Sequence, residues 1–343
     1  MKKISVVQIG IGHDHASMVL GSMLKQSDIF DVKALALPES ESENKEFAQK
    51  IERLRGKLPI ITAEEALGMS GLDGVVIETE EVNLTKYATL AAKKGLAVHM
   101  DKPGGTSLAE FEELIRTVKE KNLVFSTGYM YRHNAAINAA IEKAKSGELG
   151  KIYSVEAQMN CFHTPEKRQW LSRFHGGMMF FLGCHLVDLI LRIQGTPEEV
   201  IPMNTCTGVE NVSAEDYGFA VFRYKNGISF AKTCAAEAGG FERRQLVICG
   251  EKGTIELRPL ERFTDGGEKN ITGIRNIPES EKKSWGYIAP FEFSEPFDRY
   301  DGMMKAFAEY VRGEKANPFD YDYELKLYGT VLRACGLAVA ASI

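Results

Sequence analysis

The stretch Ile4-Ser5-Val6-Val7-Gln8-Ile9-Gly10-Ile11-Gly12-His13-Asp14-His15-Ala16 decides the fold. Its first six residues form an apolar run of strand length, and Ala16 to Lys25 carries Met18, Val19 and Met23 at helical spacing, so the glycines fall between a strand and a helix. In that context the first glycine permits a tight turn, and the second lets a pyrophosphate approach the backbone at the helix N-terminus. The third position of this fingerprint is His15, where close helix-on-strand packing favours glycine or alanine. The acid usual at the end of the second strand is also missing: Leu37-Pro38 stands there, with Glu39 or Glu41 the nearest carboxylate. Read without a ligand, Gly10 and Gly12 form only a tight turn.

Outward from this turn, strands alternate with amphipathic helices. Val32 to Leu37, Gly74 to Ile77, Ala97 to Met100 and Val124 to Thr127 read as further strands, and a charged helix repeats Phe47, Ile51 and Leu54. Thr62 with Glu65, and Ser107 with Glu110, have capping-box spacing. Alternation of this kind requires right-handed crossovers, hence a Rossmann-type doubly wound parallel sheet over residues 1–127. Residues 128–343 read differently: a helix from Asn134 to Lys145, a strand from Ile152 to Met159, and an apolar segment from Met178 to Ile193. The runs Tyr217 to Tyr224, Ile228 to Ala235, Gln245 to Cys249 and Thr254 to Leu257, with turn residues such as Asn226-Gly227, predict a mostly antiparallel, open-faced sheet. Helices over Gly302 to Arg312 and Tyr321 to Ala341 close the chain and are free to pack back on the first domain; Gly266-Gly267 to Glu279 reads as a mobile loop.

Composition narrows the function. Of 343 residues, 44% are apolar and 26% charged, as in an ordinary soluble globular protein, and two domains are expected. Forty-two basic against 47 acidic side chains leave a net charge of −5, which argues against a nucleic-acid partner. No apolar run reaches the ~18 residues of a membrane span, and the run after Met1-Lys2-Lys3 is broken at Gln8 and Gly10 before a signal peptide develops. The six cysteines (161, 184, 206, 234, 249, 335) show no CxxC pair, so neither a disulfide framework nor a zinc site is expected, and a cytoplasmic location fits.

Two further motifs carry chemistry. In Val98-His99-Met100-Asp101-Lys102-Pro103-Gly104-Gly105 a lysine follows a parallel strand, where ligands bind in such sheets, and an ammonium there stabilises an alkoxide; the alternative is a solvated loop lysine. In Gly176-Gly177-Met178-Met179-Phe180-Phe181-Leu182-Gly183-Cys184-His185-Leu186-Val187-Asp188, His185 and Asp188 share a helical face, so the carboxylate is able to steady an imidazole that accepts a proton. Against this stand a core histidine and an aspartate bonded to backbone. Lys167 and Arg168 read as solvated surface charges, with an acidic sugar the alternative ligand, and His163, His175 and His185 lack ligand-like local spacing.

With these motifs in place the sequence resembles the Gfo/Idh/MocA oxidoreductases, which include glucose-fructose oxidoreductase and inositol dehydrogenase. The family's strand-one glycines match Gly10 and Gly12, its Glu-Lys-Pro motif appears as Asp101-Lys102-Pro103, and its glycine-rich histidine motif corresponds to His175 through Asp188. Tyr131-Arg132-His133-Asn134, Gly147-Glu148-Leu149-Gly150-Lys151-Ile152 and Gly250-Glu251-Lys252-Gly253-Thr254 match in the family's order. The motif's first aspartate is here Phe181, which has no group to bond a sugar hydroxyl but is able to line an apolar pocket.

The resemblance implies an NAD(P)-dependent enzyme, NAD slightly favoured over NADP. It implies hydride transfer between the nicotinamide and a secondary alcohol or ketone of a sugar, polyol or glycoside. Lys102 is the expected electrostatic stabiliser and His185 the proton acceptor, with a small carbohydrate-like substrate in the cleft between the domains. The cofactor set is Gly10, Ile11, Gly12, His13, Asp14, His15, Thr79, Asp101 and Lys102; the substrate set is Lys102, Tyr129, Arg132, Trp170, Phe181 and His185; no metal ligands are assigned. An open sheet face with apolar residues near Phe219 to Phe222 and Ile228 to Phe230 predicts a homodimer or homotetramer. Two other readings stay open: a glycoside-cleaving enzyme that oxidises transiently with NAD, and a non-catalytic nucleotide-binding regulator.

Overall fold

Val6, Val7 and Ile9 are fully buried, so the strand they form has both faces covered and lies inside its sheet. That strand, Ile4–Ile9 (β1), pairs in parallel with Phe30–Leu37 (β2) on one side and Gly74–Ile77 (β4) on the other. Ile60–Thr62 (β3), Ala97–Met100 (β5) and Phe125–Thr127 (β6) extend the sheet to the order β3-β2-β1-β4-β5-β6. The order reverses between β1 and β4, the place in an open parallel sheet where ligands bind. The computed structural model describes residues 2–45, 47–54, 56–267, 269–281, 285 and 289–339. The chain divides into two units, Met1–Met130 with Tyr300–Tyr328, and Tyr131–Arg299 with Gly329–Ile343.

In the first unit the crossovers are Ala16–Lys25 (α1), Glu39–Ser42 (α2), Ala48–Leu54 (α3), Ala63–Gly68 (α4), Leu84–Lys93 (α5) and Leu108–Glu120 (α6). Thr62 and Glu65 form the reciprocal capping box read from the sequence, and the Ser107 hydroxyl accepts from the Glu110 amide. The single charged helix expected after the second strand is instead two short ones, α2 and α3. The second unit runs Ala135–Lys145 (α7), Ile152–Gln158 (β7), Pro165–Trp170 (α8), Cys184–Gln194 (α9), Glu199–Pro202 (β8), Tyr217–Tyr224 (β9), Gly227–Cys234 (β10), Gln245–Gly250 (β11) and Gly253–Leu257 (β12). Arg262–Phe263 (β13), Asn270–Ile271 (β14), Gly273–Pro278 (β15) and Glu292–Phe293 (β16) complete its strands. Eight of these form one sheet, β16-β15-β12-β11-β7-β10-β9-β8, antiparallel except where β10 lies parallel to β7.

After the sheet, Asp301–Val311 (α10) returns to the first unit, where Asp301 accepts from Ser22 of α1 at 2.8 Å. In Tyr321–Ala334 (α11), Glu324 accepts from Thr127 at 2.9 Å and the Tyr328 hydroxyl donates to the Gly105 carbonyl at 3.0 Å, both within that unit. Two expectations need correction, and one segment read only as apolar takes a definite form. The segment read as a mobile loop contains β14 and β15, and β15 pairs along β12 with Thr254 opposite Ile277. The apolar segment from Met178 begins as a π-helix, Met179–Gly183, before α9. The last helix ends at Ala334 rather than Ala341, with Gly336 at a φ of +92° just beyond it; residues 340–343 lie outside the described ones.

A buried charge cluster fixes the inner end of the second sheet. Glu261 accepts from Arg299 Nε at 2.7 Å, from the Tyr131 hydroxyl at 2.9 Å and from Arg244 Nη1 at 2.5 Å. Burial alone would raise the Glu261 carboxyl, but Arg299 and Arg244 outweigh it and hold it below the usual range. Glu261→Gln is expected to cost about 3–5 kcal/mol, because the buried Arg244 and the half-buried Arg299 lose their anion. A group with a depressed pKa stabilises the fold above its unfolded value, roughly 4.3, and loses that contribution as pH falls through the folded value. Denaturant melts between neutral and acid pH should show this loss in the wild type and not in Glu261→Gln.

Candidate functional site

Gly10 stands at a φ of +94°, and a Cβ there would lie 2.5 Å from the backbone nitrogen and Cα of Thr79. Only glycine allows β1 to turn this close to the chain leaving β4. Past the turn, the Ile11 and Gly12 amides donate to Glu41 Oε2 at 2.6 and 3.0 Å, and the Glu80 amide donates to Glu41 Oε1 at 3.0 Å. A carboxylate from α2 therefore sits on the glycine turn. Burial raises the Glu41 carboxyl, with the three amides pulling the other way.

The two histidines that follow converge on one carboxylate. His13 Nδ1 lies 3.2 Å and His15 Nδ1 3.0 Å from Asp101 Oδ2, at the end of β5. His13 and Asp101 are fully buried. Burial drives His13 down to about 3, against the pull of Asp101. For Asp101 burial opposes ionisation, but His13, His15 and Lys102 prevail and hold it well below the carboxylate range. Glu78 beside them is raised well above it, by burial first and then by the charge of Asp101. Asp14 is exposed and Thr79 fully buried. Lys102 is only 1% exposed, which excludes the solvated loop lysine; its amide donates to Asp101 Oδ1 at 2.7 Å. Tyr129 is buried in the same unit. A cavity of about 1000 Å³ opens beside Leu37, Pro38, Thr62, Tyr87 and Lys94, and none of the residues expected to hold the cofactor line it.

In the second unit, His185 is buried in the first turn of α9 with its ring edge-on to Tyr131, centroids 5.6 Å apart. Asp188 Oδ1 accepts from Arg132 Nε at 3.1 Å and Nη2 at 2.9 Å, so the arginine expected at the substrate is held in a buried ion pair. Phe181, in the π-helix, meets Trp170 edge-on at 5.4 Å, and Lys167 Nζ stands 3.6 Å from the Trp170 centroid and 5.0 Å from that of Phe181. Arg168 corrects the expectation of a solvated charge. It is fully buried, donating to Asp216 and the Val209 carbonyl at 3.1 Å and paired with Glu210. His163, His175 and His185 form no group able to share an ion; among the described residues His13, His15 and Asp101 do. Sequence reasoning missed Glu78 altogether and named Glu41 only as a near carboxylate. The acidic run Glu78-Thr79-Glu80-Glu81 after β4 was the available signal.

Residues 137–256 match the family model of the GFO/IDH/MocA C-terminal domain. The Gfo/Idh/MocA resemblance seen in the motifs therefore holds, and relatives agree with it. An oxidoreductase of Schizosaccharomyces pombe is 27% identical over 139 residues, 40% of this chain and 38% of the relative, so the match spans under two fifths of that relative's length. Trans-1,2-dihydrobenzene-1,2-diol dehydrogenase of Bos taurus is 25% identical over 243 residues, 67% of this chain and 68% of the relative. The crystal structure of aldose-aldose oxidoreductase from Caulobacter crescentus, complexed with glycerol, superposes with a TM-score of 0.76 at 16% identity, covering 98% of each chain. The fold is shared with it.

The clearest consequence concerns the turn itself. Gly10→Ala should destabilise the protein by at least about 1–3 kcal/mol, since it adds a left-handed alanine to a backbone clash. Chemical denaturation checks this; unchanged stability would mean the turn is not as tight as described.

Proposed function

We propose that the chain is an oxidoreductase that takes a nicotinamide dinucleotide and oxidises a secondary alcohol of a sugar, polyol or glycoside, or reduces the matching ketone. The observation that carries the reading is the tight glycine turn at the β1/β4 reversal of the parallel sheet. Dinucleotide-binding sheets place an acid near the end of the second strand for the ribose hydroxyls, and Glu41 on α2 is the nearest buried carboxylate here; it now takes the Ile11 and Gly12 amides, which it would have to release to a pyrophosphate. The residues from Gly10 to His15, with Thr79, Asp101 and Lys102, are the proposed cofactor set. When bound, the nicotinamide supplies the hydride acceptor or donor.

The chain's own residues have the remaining work. Lys102, a buried ammonium at a strand end, stabilises negative charge on the substrate oxygen as the hydroxyl proton leaves. His185 takes that proton on a ring nitrogen. Phe181, Trp170, Tyr129 and Arg132 complete the proposed substrate set, with the Phe181 and Trp170 rings offering an apolar wall to a ring-shaped substrate. The diol dehydrogenase relative supports a substrate carrying secondary hydroxyls. Self-association to a homodimer or homotetramer is proposed through the sheet face that carries Ile228, 57% exposed, and the stacked Phe219 and Phe230. No helix among the described residues is long and apolar enough to cross a membrane.

Two measurements test this. Lys102→Met should lower turnover by orders of magnitude with nucleotide affinity nearly intact, and His185→Asn should lower it by about 10² to 10⁴-fold. Full activity in either variant, on a substrate the wild type turns over, would remove that residue from the chemistry. Glu41 gives the second test: a fixed negative charge opposes a 2′-phosphate, so wild type should bind NAD more tightly than NADP. Glu41→Gln should shrink that preference by at least about tenfold, equivalent to 1.4 kcal/mol. Fluorescence titration with both dinucleotides reads it, and equal wild-type affinities would sink the role of Glu41.

A further inference from the structure

The cluster at the start of α1 gathers two imidazoles and buried carboxylates around one point. His13 is fully buried, and its neutral ring has one proton for two nitrogens. With the proton on Nε2, the bare Nδ1 faces Asp101 Oδ2 at 3.2 Å while also taking the His15 amide at 3.2 Å. With the proton on Nδ1, the bare Nε2 faces Glu81 Oε1 at 3.8 Å and the amide loses its acceptor. Either tautomer turns a lone pair toward a carboxylate. Glu78 is fully buried against Asp101 with Oε2 3.9 Å from His13 Nδ1, and His13 Nε2 has no hydrogen-bond partner among the described residues. Unpaired buried polar groups of this kind are costly.

We propose that His13, His15 and Asp101, with Glu78 alongside, are a binding site for a divalent first-row transition metal ion such as Zn²⁺. His13, His15 and Asp101 each offer a ligand atom within 4.8 Å of the other two, and the Nδ1-to-Oδ2 separations of 3.2 and 3.0 Å are those of neighbouring ligands. Donors bound about 2.0–2.2 Å from one ion stand roughly 3 to 3.5 Å apart. Two imidazoles and carboxylate oxygen select borderline ions over Ca²⁺ or Mg²⁺, which take oxygen alone. The ion would accept the lone pair that has no proton, and it would balance the negative charge gathered around the glycine turn. The site shares His13, His15 and Asp101 with the proposed cofactor set, and titration of the metal alone, without dinucleotide, separates the two readings.

The test uses the full chain, stripped with a chelator, dialysed and titrated with Co²⁺, whose visible d–d absorption reports coordination by nitrogen. Saturation at one equivalent per chain, with competition by Zn²⁺, is expected. His15→Ala and Asp101→Asn should each weaken Co²⁺ binding by at least about 100-fold while far-UV circular dichroism stays that of the wild type. Asp101→Asn keeps the side-chain volume and His15→Ala only removes a ring, so loss of fold in one leaves the other to decide. His175→Ala should leave the affinity unchanged. Absence of saturable d–d absorption in the wild type would overturn the site. So would equal binding by the wild type and a folded His15 or Asp101 variant, or a loss of binding in His175→Ala.

Discussion

Everything about the first unit follows from how near two strands' exits come to each other. Gly10 leaves β1 so near Thr79 at the end of β4 that a Cβ on it would stand 2.5 Å from the Thr79 backbone, and no side chain fits between them. This closeness sets where α1 begins, which puts His13 and His15 over the end of β5 and brings the turn amides within reach of α2. The parallel sheet makes the approach possible, since reversal of strand order opens a crevice between β1 and β4. A residue with a Cβ at position 10 would push these exits apart and scatter the groups they gather.

What they gather is mostly negative. Glu41, Glu78, Glu81 and Asp101 are all nearly or fully buried, within a few residues of strand ends, and Lys102 is the buried cation among them. Buried charges persist only when paired, bonded or neutralised. Glu41 is bonded by three amides; Asp101 draws on two imidazoles and the Lys102 amide; Glu78 is kept from ionising. The second unit solves the same problem with guanidinium groups: Arg132 on Asp188, Arg168 on Asp216, Arg244 and Arg299 on Glu261. Arginine suits that task because its planar fork stays charged when buried. The two units thus differ in kind, one frozen by matched ion pairs, the other left with carboxylates around a turn.

The fold was legible because its signals are local. Apolar runs bounded by capping residues gave β1, β4, β5 and α1 with the bounds observed, and Thr62 and Ser107 marked true helix starts. Strands held mainly by partners escaped: β8 is four residues long and mostly exposed, β15 sets Gly, Arg, Asn and Pro around two isoleucines, and pairing to a neighbouring strand defines them. Sites were half legible for a related reason. Gly10, Lys102 and His185 lie in motifs whose spacing carries meaning, whereas Glu41 reaches Gly12 across 29 residues through a helix too short to show periodicity. Arg168 looked solvated because a single charge in a polar run says nothing about the Asp216 that will bury it 48 residues later.

The π-helical turn at Met179–Gly183 has a consequence for how this second unit can change. A π-turn holds one residue more than the α-turn it replaces, so it is a stored insertion inside an otherwise regular helix. Deleting one residue there would restore α-helical hydrogen bonding inside the bulge while the helix that follows keeps its place, because the bulge has already absorbed the extra residue. Phe181 lies within the bulge and His185 just after it, so a single deletion would re-aim the aromatic wall relative to the imidazole while leaving the helix, its sheet and its ion pairs in place. Chain length at this point is therefore a dial on side-chain direction, one that lineages can turn without rebuilding the core.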